Sequence, residues 1–170
     1  AVKNQKGVPT AMDFATIVDL DVDAFIPPEY IVNEVQKLDI YKRIAGIENE
    51  RERDDMRDEL LDRFGEIPVS VDNLLRIALI RVAAHSLYLT EVKGKNERIT
   101  LTFRPDAAID PMGIPKLLRK YGDKLKFTAY GNPFFTYRYK KTGLVEKDAQ
   151  LLLELSEELL REMKETLHVL

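Results

Sequence analysis

The chain has 170 residues, of which 45% are hydrophobic and 32% are charged. This composition is typical of a folded globular protein with a real core, and it excludes a mainly disordered chain. No apolar run approaches the roughly 18–20 residues that a membrane-spanning helix needs, so we expect no membrane contact. The absence of cysteine excludes disulfide and thiolate chemistry. Together with the lack of a signal peptide, it suits the cytoplasm.

The net charge of −3 hides a strong asymmetry along the chain. Residues 1–90 carry 11 Lys/Arg against 17 Asp/Glu, and residues 146–170 carry 3 against 7. Residues 91–145 are the reverse, with 12 Lys/Arg against 5 Asp/Glu. Such an imbalance bears on docking and on the choice of partner, not on the fold.

The chain begins with a tail and a strand. Residues 1–15 have no hydrophobic period and contain a glycine and a proline, so we expect a linker there and assign residues 16–170 to one domain. Residues 16–25 largely alternate apolar and acidic side chains, which predicts a half-buried strand. Pro27 and Pro28 then end the strand.

Three helices are predicted next. The first runs to about Ile47 and is expected to bury Ile31, Val35, Leu38 and Ala45. In the second, Asn49 and Glu52 have the spacing of a capping box, and Gly65 is expected to end the helix. The third covers about 70–86 and is apolar over most of its circumference, which predicts a central place in the core.

The second half of the chain reads as strands mixed with helices. The segments "SLYLTEV" and "RITLTF" flank the connection "KGKNE", and "KLKFTAY" and "FFTYRY" flank "GNP", so each pair predicts two neighbouring strands. A short helix lies between the pairs, from Pro111 to Tyr121, and a long amphipathic helix covers Leu144 to Leu167. The predicted fold class is α+β: an N-terminal helical cluster packed with a mixed, largely antiparallel sheet and a long C-terminal helix.

The second helix has an unusually acidic face. At about 100° per residue, four carboxylates share one side, and Met56, Leu60 and Phe64 share nearly the opposite one. The four acids are Asp55, Asp58, Glu59 and Asp62. Periodicity alone leaves two readings open, a solvated helix face or a docking surface for a basic partner.

Catalytic machinery is not apparent. The sequence contains no phosphate-binding glycine loop, and its two histidines, His85 and His168, lack partners for a metal site or a nucleophile. A rigid row of helical carboxylates supplies neither the substrate phosphates of a Mg²⁺ site nor the backbone carbonyls of a Ca²⁺ site. We therefore predict no catalytic, cofactor-binding or metal-binding residues, although a hydrolase that uses the carboxylate row is a remote alternative.

The basic region of residues 91–145 supports another function. Its segment "FFTYRYKK" interleaves aromatic and cationic side chains, as nucleic-acid surfaces do. The simpler interpretation is that Phe135, Tyr137 and Tyr139, which share one strand face, fill the core. A nucleic-acid-contacting module is thus the alternative function.

Residues 26–81 resemble the C-terminal (TRCF) domain of the bacterial transcription-repair coupling factors, the Mfd family. The resemblance is carried by "IPPEYI", "KLDIYKRIA", "DELLDRFGEIP" and "NLL", in that order. It implies that "AVKNQKG" is the remnant of a preceding translocase module. It also implies that the ATP and Mg²⁺ sites and the contacts with DNA belong to upstream modules of the parent protein, and that this domain holds no cofactor.

The resemblance further implies a regulatory role. In the family this domain packs on the N-terminal UvrB-like module of the same protein and masks its UvrA-binding surface until RNA polymerase is engaged. An acidic pair spaced as in "ELLD" contacts arginines of that module, and here the pair is Glu59 and Asp62. Asp58 and Asp55 widen the acidic face. In the isolated domain we expect Glu59 and Asp62 to be exposed and largely unpaired, because their partner is absent.

Overall fold

The computed structural model describes residues 14–168. The predicted linker therefore lies outside the described residues, except for its last two positions. Within the described part the chain forms helices α1 (Glu34–Ala45), α2 (Glu50–Phe64), α3 (Val69–Ser86), α4 (Ile114–Tyr121) and α5 (Val145–Thr166). The strands are β1 (Ile17–Leu20), β2 (Leu89–Lys95), β3 (Arg98–Phe103), β4 (Leu125–Thr128) and β5 (Phe134–Arg138). The predicted α+β class is confirmed.

The bounds of α2 follow from local chemistry. The Asn49 side chain accepts a hydrogen bond of 2.9 Å from the Glu52 amide, and the Glu52 carboxylate accepts one of 3.0 Å from the Glu48 amide. Two of the amides at the helix start are thereby satisfied. Gly65 follows the helix with a φ of 89°, a conformation that glycine adopts without strain.

The sheet is mixed and largely antiparallel, as predicted. Its strand order is β1-β2-β3-β5-β4, and among the strand pairs of residues 14–168 only β1–β2 is parallel. The β2–β3 turn consists of Asn96 and Glu97, which have φ angles of 55° and 62°, as in the mirror-image turns of tight hairpins.

The predicted five-residue connection of this hairpin is wrong, because β2 continues through Gly94 to Lys95. Gly94 faces α5 so closely that a Cβ atom there would lie 2.6 Å from Cδ1 of Leu152. The missing side chain at Gly94 therefore lets α5 pack closely on β2. The turn begins two residues later, at Asn96.

Two hydrophobic cores lie on either side of α3. The sheet core joins one face of the strands to α4 and α5, with Leu101, Phe135 and Leu160 among its buried members. The helical core joins α1, α2 and α3 around Ile40, Leu60 and similar side chains. Helix α3 contributes to both, so its predicted central place is confirmed.

The predicted buried side of α1 is wrong in part. Ile31 is buried, but Val35 and Leu38 are 77% and 59% exposed, and Ala45 is exposed as well. The helix instead buries Ile40 and Ile44. Both stripes have helical spacing, and the choice between them depends on where α2 and α3 pack.

Candidate docking face

Helix α2 presents its acidic side to solvent because its apolar side is anchored. Met56 is 5% exposed and Leu60 is fully buried in the helical core. The hydroxyl of Tyr30 donates to the carbonyl oxygens of Leu60 at 3.2 Å and Gly65 at 3.0 Å. These contacts fix the rotation of α2, so the predicted division into an apolar and an acidic side is confirmed.

Glu59 is not free, contrary to the expectation. Arg43 of α1 donates two hydrogen bonds of 2.6 Å to its carboxylate, from Nη1 to Oε2 and from Nη2 to Oε1. Arg63 donates a third, of 2.7 Å, to Oε2 from one turn further along α2. Two guanidinium groups thus neutralise this carboxylate within the chain, and the fork from Arg43 ties α1 to α2.

The charge of Glu59 is stabilised accordingly. The hydrogen bonds from Arg43, and next those from Arg63, lower the pKa of this carboxyl group from 4.5 to about 2. The same contact raises the pKa of the Arg43 guanidinium. The i, i+4 spacing of Glu59 and Arg63 can be read from the sequence. The contact with Arg43 could not be predicted, because Arg43 lies on another helix and gives no periodic signal.

The other three carboxylates of the acidic face differ from Glu59, and for Asp62 the expected exposure is confirmed. Asp55, Asp58 and Asp62 are exposed, and within residues 14–168 none of them lies in an ion pair or accepts a side-chain hydrogen bond. Leu61, next to Asp58 around the helix, is 47% exposed. We call Asp55, Asp58, Asp62 and Leu61 the docking face.

The aromatic side chains of the basic region are mostly core. Phe135 is 1% exposed and Tyr137 is 6% exposed, whereas Tyr139 is partly buried against the sheet core. The simpler interpretation of these three rings is confirmed, and they form no stacking platform for bases.

Of the two histidines, His85 packs against Phe14. The ring of His85 stacks on Phe14 at a centroid distance of 4.3 Å, and its Nε2 lies 2.9 Å from the Phe14 carbonyl oxygen. Among residues 14–168, no group of three or more His, Cys, Asp or Glu side chains is placed to hold a metal ion. No helix in the same part of the chain has the length and hydropathy to cross a membrane.

The fold and its exposed acidic helix define a small α+β domain with a charged helix face. Residues 20–114 match the family model of the TRCF domain. The chain is 37% identical over 117 residues to a transcription-repair-coupling factor of Staphylococcus epidermidis, covering 66% of this chain and 10% of that protein. It is 31% identical over 128 residues to the one of Bacillus subtilis, covering 74% of this chain and 11% of that protein.

A solved structure supports the same family. The crystal structure of a C-terminal domain of transcription-repair coupling factor superposes with a TM-score of 0.67 and 26% sequence identity, covering 89% of this chain and 96% of that one. The chain belongs to the TRCF domain family of transcription-coupled repair proteins. It spans about a tenth of the length of the curated relatives it matches.

Proposed function

We propose that this chain is a non-catalytic regulatory domain of a transcription-repair coupling factor. It docks on the N-terminal UvrB-like module of the same protein and covers the surface that would bind UvrA. The observation that carries the proposal is the docking face: Asp55, Asp58 and Asp62 lie exposed on one side of α2, and none of them has an ion-pair partner among residues 14–168. Arginines of the UvrB-like module are the partners that such carboxylates fit best, because guanidinium groups bind carboxylates in a fixed planar geometry.

The energetics suit a contact that must be released. Like charges at i, i+4, as in Asp58 and Asp62, cost a helix about 0.2–0.5 kcal/mol, so a basic partner relieves an existing repulsion. Each exposed ion pair contributes about 0.2–1 kcal/mol, and the exposed Leu61 adds apolar contact. A few such contacts reach the roughly 1–3 kcal/mol that is normal for regulatory coupling and do not lock the domain in place.

Glu59 has a different part in this proposal. Because its carboxylate already binds Arg43 and Arg63, it holds α1 and α2 together and positions the docking face from within the chain. Asp62 and Asp58 then make the principal contacts with the partner. Of the acidic pair implied by the family resemblance, Asp62 is available for docking, and Glu59 is available only if its intrachain pairs are exchanged.

The wider setting is proposed as well. The parent protein is an ATP-driven DNA translocase of the cytoplasm whose ATP, Mg²⁺ and DNA sites lie in upstream modules, and it acts with RNA polymerase and UvrA. This domain needs no cofactor of its own. These statements rest on the family to which the chain belongs.

A charge reversal tests the docking face directly. Binding of the 170-residue chain to the isolated UvrB-like module is measured by calorimetry for the wild type and for Asp58→Arg/Asp62→Arg. We expect the variant to bind at least about tenfold more weakly, because two attractive pairs become repulsive, and about 1.4 kcal/mol corresponds to tenfold.

The matched control reverses two acids elsewhere. Glu154 and Glu165 of α5 are exposed and have no ion pair in the described part of the chain, so Glu154→Arg/Glu165→Arg changes the net charge equally. The control should bind like the wild type. Equal affinities for the wild type and the α2 variant, or equal losses in the α2 variant and the control, would show that the docking face is wrongly assigned.

A further inference from the structure

The sheet has one covered face and one open face. Side chains at alternate positions of β3, Ile99, Leu101 and Phe103, are buried in the sheet core with α4 and α5. The positions between them, with their neighbours in register on the adjoining strands, point to the opposite side. No hydrophobic core cluster of residues 14–168 includes those positions. We call this side the open face.

Three cations lie in one row at the end of the open face. Lys95 of β2 pairs in register with Arg98 of β3, and Arg98 pairs with Arg138 of β5. All three side chains are exposed, and none has a carboxylate within 4.0 Å in the described part of the chain. Like charges directly opposite each other destabilise a sheet, so the row is a cost to the fold that a bound anion would remove.

The next row inward combines hydroxyl groups with further cations. Lys93, Thr100, Thr136 and Lys126 follow each other in register across β2, β3, β5 and β4. On β1, Asp19 lies in register with Lys93, and Glu91 of β2 lies in the row beyond, opposite Thr102. The acids of this face are thus on β1 and β2, and its net positive charge is greatest on β3, β4 and β5. Arginine, lysine and threonine are among the side chains that contact nucleic-acid phosphates.

We propose that the open face binds the phosphate backbone of duplex DNA without reading its sequence. The aromatic rings of β5 that could stack on unpaired bases face the core, except for the half-buried Phe134. Cations and hydroxyls without a stacking platform fit a duplex better than a single strand. A duplex also presents the denser row of charges, about one per 1.7 Å of axis.

The choice of DNA over another polyanion rests on the proposed function, in which the parent protein works on DNA. An acidic polypeptide has the same charge but spaces it irregularly. The hydroxyl groups of Thr100 and Thr136, which lie between Lys93 and Lys126, add neutral donors suited to phosphate oxygens. The open face and the docking face lie on different elements and use opposite charges.

The experiment titrates duplex DNA into the 170-residue chain across a series of salt concentrations, with fluorescence anisotropy as the readout. We expect binding at low salt with a steep linear dependence of log K on log salt. In Lys95→Ala/Arg98→Ala/Arg138→Ala the slope should fall by about 2 to 3, because each phosphate contact contributes about 0.9. The conservative variant Arg98→Lys/Arg138→Lys should keep most of the slope.

The control removes three exposed cations elsewhere, as Lys116→Ala/Lys147→Ala/Lys164→Ala, and should leave the slope unchanged. The proposal is overturned if the wild type does not bind at low salt, or if the control loses as much slope as the row variant. Tighter binding of single-stranded DNA would overturn the duplex assignment. Equal binding of polyglutamate would assign the face to an acidic protein.

These outcomes are separate from those of the docking test. The DNA titration changes cations of the sheet and needs no other module, whereas the docking test changes acids of α2 and measures binding of the UvrB-like module. Loss of one binding activity with retention of the other therefore identifies which of the two proposals is wrong.

Discussion

At the scale of single residues, Glu59 carries the most strongly stabilised negative charge on α2. Its carboxylate receives three hydrogen bonds of 2.6–2.7 Å from two arginines, while Asp62, three residues later, receives none from a side chain in the described part of the chain. The two acids look alike in the sequence. Their different surroundings give the first a structural role, and under the proposed function the second contacts a partner.

This difference can be measured as a dependence of stability on pH. Because the folded-state pKa of Glu59 is about 2 against an ordinary 4.5, its contribution is present above pH 4.5 and is lost as the pH falls toward 2. Glu59→Gln should lower the free energy of unfolding at neutral pH by about 1 kcal/mol, the upper range for an exposed pair. Urea denaturation at several pH values measures this.

Asp62→Asn is the matched control, since it removes a charge from the same helix without breaking a pair. Its effect should stay within about 0.5 kcal/mol. A carboxyl pKa of Glu59 near its ordinary value, measured by NMR titration, would contradict the ion pairs of Glu59 with Arg43 and Arg63.

At the scale of elements, local chemistry could be predicted and long-range packing could not. Helix α2 could be predicted with its bounds and both faces, because its caps and its period lie within the helix itself. The exposure of Val35 and Leu38 could not, since α1 has two apolar stripes and only the positions of α2 and α3 select one. The pairing of Arg43 with Glu59 and the place of Gly94 under α5 likewise depend on segments far away in the chain.

Gly94→Ala tests the close contact between β2 and α5. The added methyl group would meet Leu152 at 2.6 Å and Leu20 at 2.8 Å, so we expect a loss of about 1–3 kcal/mol from overpacking. Thermal denaturation measures the effect. Gly46→Ala is the control: its nearest contacts would be at 3.6 Å, and the residue has a φ of −92°. An equal loss in both variants would contradict the packing argument.

A substitution in the cationic row of the open face should stabilise the fold, whereas the preceding variants destabilise it. Arg138→Thr should raise the free energy of unfolding by about 0.2–1 kcal/mol, because it removes a like-charge neighbour of Arg98. The gain should shrink with added salt. Lys126→Thr is the control, because its partner in register is the uncharged Thr136. A gain for Arg138→Thr that does not depend on salt would contradict an electrostatic cause.

At the scale of the whole molecule, α3 joins the two cores into one unit. Its residues Leu75 and Ala78 belong to the helical core, and Ile80 and Ala84 belong to the sheet core. Arg76 adds a link from α3 to α5 through two hydrogen bonds to Glu157, of 2.6 and 3.1 Å. The docking face on α2 and the open face of the sheet thereby belong to one packed unit.

The chain should therefore unfold in a single transition. Leu75→Ala in the helical core and Leu101→Ala in the sheet core should each cost about 2–5 kcal/mol. Each variant should lower the midpoint of the denaturant-induced transition. The shift should be the same whether unfolding is followed by far-ultraviolet circular dichroism or by tyrosine fluorescence. Two separate transitions, or a shift seen by one probe alone, would show that the cores unfold independently.

The most direct test of the proposed regulation uses the full-length parent protein and its affinity for UvrA. If the docking face holds this domain over the UvrA-binding surface, Asp58→Arg/Asp62→Arg should increase that affinity, while Glu154→Arg/Glu165→Arg should leave it unchanged. An affinity for UvrA that is the same in the wild type and in the α2 variant would contradict the account.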